Sequence, residues 1–106
     1  MKHRSSKRFH ELLAEIGELH DKKSKDYGAV DDPFSNVRQS TSWGMRSWIG
    51  AMVRLNDKVV RLQAFATRGE LANESAIDSM MDIAVYALIA RVLYEEESGV
   101  SRDKPA

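Results

Sequence analysis

Apolar residues recur three and four positions apart over three long stretches of this chain. Phe9, Leu12, Leu13, Ile16 and Leu19 form the first set. At about 100° per residue such positions share one face of an α-helix. The spacing predicts a first helix over residues 6–25, capped by Ser5 or Ser6. Asp26-Tyr27-Gly28 ends it, the glycine suiting a left-handed turn past the last helical residue. Met52, Leu55, Val59, Leu62 and Ala66 make the stripe of a second helix over 46–67, closed by Arg68-Gly69. Ile77, Met81, Ala84, Val85, Leu88, Val92 and Leu93 give a third, more broadly apolar helix, from a cap at Asn73 to a stop at Gly99. Residues 28–45 read as loop, with a short helix starting at Asp32-Pro33. Glu95-Glu96-Glu97 stands at the negative end of the third helix's dipole, so that last turn is expected to fray.

Short connections between long helices predict an all-α fold, an antiparallel helical bundle with three main helices per subunit. At 106 residues the chain has room for one domain. That domain is expected over residues 1–99, with 100–106 a polar, mobile tail. So small a domain buries a limited share of its surface. The bundle is therefore expected to be completed by self-association, as a homodimer or homotetramer. A four-helix core built from two chains fits three helices per subunit.

Composition narrows the function classes. Apolar residues make up 42% and charged residues 30%, values of a globular chain. Basic and acidic side chains balance at 16 each, which argues against a protein that coats nucleic acid through bulk charge. Without cysteine there is neither a disulfide nor a thiolate metal site. No apolar run is long enough to span a bilayer, so no membrane partner is expected. The basic start, Met1 to Arg8, is followed by no apolar signal core, and the expected compartment is the cytosol.

The acids change the picture. Glu74, Asp78 and Asp82 recur every fourth residue in an otherwise apolar stretch, and residues four apart lie on one side of a helix. On a helical wheel Glu74 and Asp78 fall within or beside the apolar face and Asp82 on its flank. Buried carboxylates are costly unless paired or metal-bound. They either pair with Arg54, Lys58 or Arg61 of the second helix or converge on a hard cation such as Mg²⁺. Glu11, Glu15 and Glu18 lie away from the apolar stripe of the first helix. They are a solvated face if that helix packs on one side, and candidate ligands if an oligomer covers both. Arg54, Lys58 and Arg61 share a polar side, either tied locally to Asp57 or gripping phosphate. Tyr27 and Phe34 could stack on a nucleobase and Asn36 read its edge, or both rings could cap the core. His3, His10 and His20 lack metal-ligand spacing, and His20 reads as structural. Trp43 and Trp48 are expected at an oligomer interface or in the core.

Leu13-Ala-Glu15-Ile-Gly-Glu18-Leu19 resembles the first acidic motif, Glu-x-x-Glu, of the MazG-like superfamily of all-α nucleoside triphosphate pyrophosphohydrolases. Asp78-Ser-Met-Met-Asp82-Ile-Ala-Val-Tyr86 resembles the second, Glu-x-x-Asp, with Asp82 on its final acid. A narrower resemblance is to the phage-rich nucleotide modification associated domain 1 family. It rests on Lys25-Asp-Tyr-Gly28, Phe34-x-Asn36, Arg54-x-x-Asp57-Lys58-x-x-Arg61-Leu62 and Glu74-Ser75 followed by Asp78, Asp82 and Tyr86, and it spans about residues 8–94. The resemblance implies a dimeric or tetrameric helical protein that binds a small nucleotide through Mg²⁺ and releases pyrophosphate from it. Glu15, Glu18 and Asp82 would be metal ligands, with Asp78 in place of the second motif's glutamate and Glu74 on metal or water. Lys58 and Arg61 would hold phosphates, and Lys25, Tyr27, Phe34, Asn36 and Arg54 would complete the nucleotide site. The superfamily spacing puts glutamate at 79, where this chain has Ser79; Asp78 is displaced by about 100° around the helix. Three readings follow, in this order: a Mg²⁺-dependent nucleotide pyrophosphohydrolase, a non-catalytic nucleotide or nucleotide-signal binder, and a helical assembly module.

Overall fold

A computed structural model describes residues 3–27, 34–70 and 75–99. These form four α-helices, α1 (Arg4–Tyr27), α2 (Ser35–Arg38), α3 (Ser47–Arg68) and α4 (Ala76–Ser98), with a 3-10 turn at Gln39–Trp43. There is no strand among the described residues, and no described helix is long and apolar enough to cross a membrane. The segment expected as loop with one short helix is helical from Ser35 to Trp43, as α2 followed by the 3-10 turn. Thr41 and Ser42 hydroxyls donate to the carbonyls of Arg38 and Gln39 at 2.8 and 2.7 Å. Apolar spacing carries no trace of such local bonds. The expected start at Asp32-Pro33 lies outside the described residues.

The chain divides into two compact units, residues 1–36 and 37–106. In the first, α1 begins two residues before the predicted start. His3, and neither Ser5 nor Ser6, caps it: His3 Nδ1 accepts the Ser5 N–H at 3.0 Å, and its carbonyl accepts from Lys7 at 3.1 Å. Leu12, Ile16 and Leu19 are half-buried, while Phe9 and Leu13 are exposed. The predicted terminator Gly28 lies outside the described residues.

The second unit is built on a hairpin of α3 and α4. Ser47 meets Glu97, Trp48 packs on Tyr94, and Lys58 pairs with Asp82. Partners on α4 descend as those on α3 ascend, so the helices are antiparallel. Val37, Ala51, Val85, Ala90 and Leu93 are the buried apolar core. Complete burial of Leu93 contributes about 1.5–3 kcal/mol. The stripe of α3 is rotated from the predicted one: Ser47, Gly50 and Ala51 are buried, whereas Met52 and Ala66 are exposed. Gly50 has no room for a side chain because that of Ser40 comes close. A Cβ on Gly50 would stand 2.7 Å from Ser40 Cβ and 3.5 Å from the Val37 carbonyl oxygen. Glycine inside a helix costs about 1 kcal/mol against alanine, and here it lets the 3-10 turn lie on α3.

Termini of the hairpin follow local chemistry. Gly69, at φ +81°, closes α3 by donating its N–H to the Phe65 carbonyl at 2.7 Å. Ser75 caps α4, its hydroxyl accepting the Asp78 N–H at 3.0 Å; the expected cap, Asn73, lies outside the described residues. The last turn of α4 is helical despite the acids at the negative end of its dipole. Helix continues to Ser98, and each glutamate of the acidic run has a partner. Glu95 pairs with Arg91 at 3.0 Å, Glu96 with Arg38 at 2.9 Å, and Glu97 accepts the Ser47 N–H at 2.9 Å. Arg46, at the N-cap of α3, makes no side-chain cap bond, so the Glu97 carboxylate serves instead. A charge unfavourable for α4's own dipole lies at the favourable end of α3's. Trp43, expected in a core or interface, is 88% exposed in the chain, while Trp48 is half-buried edge-to-face on Tyr94 at 5.6 Å.

Candidate functional site: a charge pair inside the hairpin

Midway along the hairpin, Lys58 Nζ stands 3.1 Å from Asp82 Oδ2, with side chains 19% and 9% exposed. Each is carried inward by the helical period. On α3, Lys58 lies two turns from Ala51, three residues after Leu55 and four before Leu62. On α4, Asp82 lies three residues from Val85 on the same face. The wheel placed Asp82 on the flank and Asp78 towards the apolar side; the structure reverses that order. Asp82 is 7% exposed, whereas Asp78 is exposed in the first turn, below the Ser75 cap. The apolar residues at 77, 81, 84 and 88 had biased the wheel towards α4's outer side, where Ile77 and Leu88 remain exposed.

The residue that shares the inner face with Asp82 is Ser79, one turn earlier and fully buried. Its importance was legible only as a departure from a motif. A small polar residue three positions before an acid, in an apolar stretch, is the local signal that could have found it. Glu74 lies outside the described residues. Arg54 and Arg61 stand on α3 about one turn to either side of Lys58, both exposed. The hairpin therefore gathers Lys58, Asp82 and Ser79, flanked by two guanidinium groups. Arg54 and Arg61 share that exposed flank with Asp57, and the interior holds the ion pair.

The remaining site residues belong to the first unit. Glu11, Glu15 and Glu18 are exposed on α1; Arg8 Nη1 lies 3.3 Å from Glu15 and 3.9 Å from Glu11. Exposed pairs of this kind contribute about 0–1 kcal/mol, so these carboxylates are held loosely. The Phe34 ring lies 5.4 Å from that of His20, a contact that gives both a packing role. Asn36 is half-buried. Lys25 and Tyr27 fall in the last turns of α1, and their side chains lie outside the described residues.

The carboxylate of Asp82 and the hydroxyl of Ser79 are oxygen donors of the kind a hard divalent cation prefers. Among the described residues no group of three or more histidine, cysteine, aspartate or glutamate side chains gathers where it could hold a metal ion. The buried carboxylate of the hairpin, Asp82, already faces the Lys58 ammonium. No protein-family model, curated protein or solved structure matches this chain.

Proposed function

We propose that this protein is a Mg²⁺-dependent nucleotide pyrophosphohydrolase of the MazG-like kind, acting on a (deoxy)nucleoside triphosphate. One observation carries the reading. Asp82, the acid that closes the second motif, and Lys58, a cation of the basic motif, are distant in sequence yet 3.1 Å apart in the hairpin. A structural pair accounts for the contact alone; the motif order and the flanking Arg54 and Arg61 favour a phosphate site. In the reaction a water oxygen bonds to one phosphorus of the α–β anhydride. The bridging bond breaks, its electron pair leaves with the other phosphoryl group, and a proton is released. Monophosphate and pyrophosphate result. Lys58, Arg54 and Arg61 bind the phosphates, Arg by paired donors and Lys as a point charge. The carboxylates this reading gives to the cation are Glu15, Glu18 and Asp82. The cation would neutralise charge developing on the leaving pyrophosphate. Self-association into a dimer or tetramer belongs to the same proposal.

Ser79 favours a second reading. A hydroxyl, not a carboxylate, shares the buried face with Asp82, while Asp78 is exposed. A site with one acid fewer can keep phosphate and lose hydrolysis, giving a protein that sequesters a nucleotide or a nucleotide-derived signal. Incubation with a panel of nucleoside triphosphates and Mg²⁺, followed by chromatography, separates the two. Monophosphate plus pyrophosphate, lost in Asp82→Asn, supports the enzyme, and robust turnover by that variant would sink it. Intact nucleotide recovered with the protein supports the binder. Absence of both products and bound nucleotide overturns both readings.

A further inference from the structure

Helix α4 carries two apolar sides, and the side that faces α3 is the one with a serine and an aspartate in it. Towards α3 it presents Ser79, Asp82, Val85, Ala90 and Leu93, all buried. On its other side Ile77, Met80 and Leu88 are exposed, with Ala84 half-buried among them. This outer set lies about 120–160° around the helix from Asp82. Removing apolar surface from water is favourable in any direction. On that ground alone a turned α4, with Ile77, Met80 and Leu88 inward and Ser79 and Asp82 in water, competes with the observed one.

The charge pair separates the two arrangements. In the observed one, Lys58 Nζ lies 3.1 Å from Asp82 Oδ2 and both side chains are largely withdrawn from solvent. In the turned one, the ammonium would stand at the level of Met80, Met81 and Ala84, none of which carries a charge. A charge in such a place without its counter-ion is strongly disfavoured. Glu97 favours the observed side as well, through the Ser47 N–H, but it is exposed and water can replace that contact. We propose that the Lys58–Asp82 pair selects which apolar side of α4 packs against α3. A buried pair is close to neutral in stability against apolar residues of the same shape, yet it rejects arrangements that separate its members. The pair thus makes the packing unique more than it makes it strong. The selection operates in the protein without any ligand and stands whether or not the nucleotide reading holds.

Thiol labelling tests the selection, because the chain has no cysteine of its own. Val85→Cys puts a thiol on the inner side and Leu88→Cys puts one on the outer side, each in an otherwise unaltered chain. The inner thiol is expected to react at least about tenfold more slowly, since a turned conformer would be a minor state of about 10% or less. Asp82→Ala with Ala84→Asp then moves the carboxylate to the outer side. The helix should turn to keep Lys58 paired, so the order of the two rates should reverse while circular dichroism shows the helix content retained. An unchanged order in that folded variant overturns the selection. If it does not fold, Lys58→Ala with Asp82→Ala decides, because it removes the pair without adding bulk to the inner side. The two rates should then come within about threefold of each other, as for two orientations of similar population. An inner thiol as protected as before overturns the selection. Loss of folding in this chain too would make the pair a requirement of stability and not of orientation, and overturns it equally.

Discussion

At the closing end of the α3–α4 hairpin and at its middle, acids of one helix meet the other in different ways. At the end, Glu96 and Glu97 reach out of α4 to Arg38 and to the N-terminal N–H of Ser47, where water still has access. Their partners offer directed donors, and the contacts tie down elements that would otherwise end in unpaired groups. In the middle, Asp82 is withdrawn from water and faces an ammonium on a flexible stem. An ion pair in such a place adds little stability over an apolar pair of the same shape, yet breaking it is expensive. Acids at the end therefore serve the fold, while the one in the middle is retained at a cost that apolar side chains would avoid. That asymmetry is the physical reason to look for chemistry at Asp82 and not at Glu97.

The comparison makes unequal predictions for stability. Lys58→Met takes the ammonium from a carboxylate whose side chain is 9% exposed and is expected to cost about 3–5 kcal/mol in urea unfolding. Replacing both partners, Lys58→Met with Asp82→Leu, should recover most of that loss. A double variant as unstable as the single one would show that the pair is needed for folding and would erase the contrast with the end. Leu93→Ala, in the apolar core between the two regions, is expected to cost about 2–5 kcal/mol, measured in the same way. Gly50→Ala forces a methyl towards Ser40 and should cost about 1–3 kcal/mol; Ser40→Gly in the same chain should restore the melting temperature. Glu97→Gln keeps an acceptor but loses the charge at the start of α3, so about 0.3–1 kcal/mol is expected. A loss as large as that of Lys58→Met would make the end, not the middle, the energetic centre. Trp43→Ala should stay within about 0.5 kcal/mol, as for an exposed residue away from the core; a larger fall in melting temperature that depends on protein concentration would place Trp43 in an interface between copies.

Apolar spacing alone determined the all-helical character of this chain, and it located the bodies of the long helices to within a few residues. Gly69 and Gly99 were legible as stops because only glycine takes a positive φ without strain. Basic and acidic motifs could be read in order along the chain, Lys58 and Asp82 among them. What spacing could not determine was which side of each helix faces inward. Helix α4 is apolar on more than one side, so a wheel has no single answer, and Asp78 and Asp82 exchanged places in consequence. Caps were missed where a side chain outside the usual set did the work, as His3 does for α1. Only tertiary structure decided that Glu97 caps a different helix from its own, that Gly50 makes room for the 3-10 turn, and that Ser79 shares the interior with Asp82. Each of those outcomes depends on what the neighbouring element brings within a few ångströms, and a helical period carries no information about the neighbour.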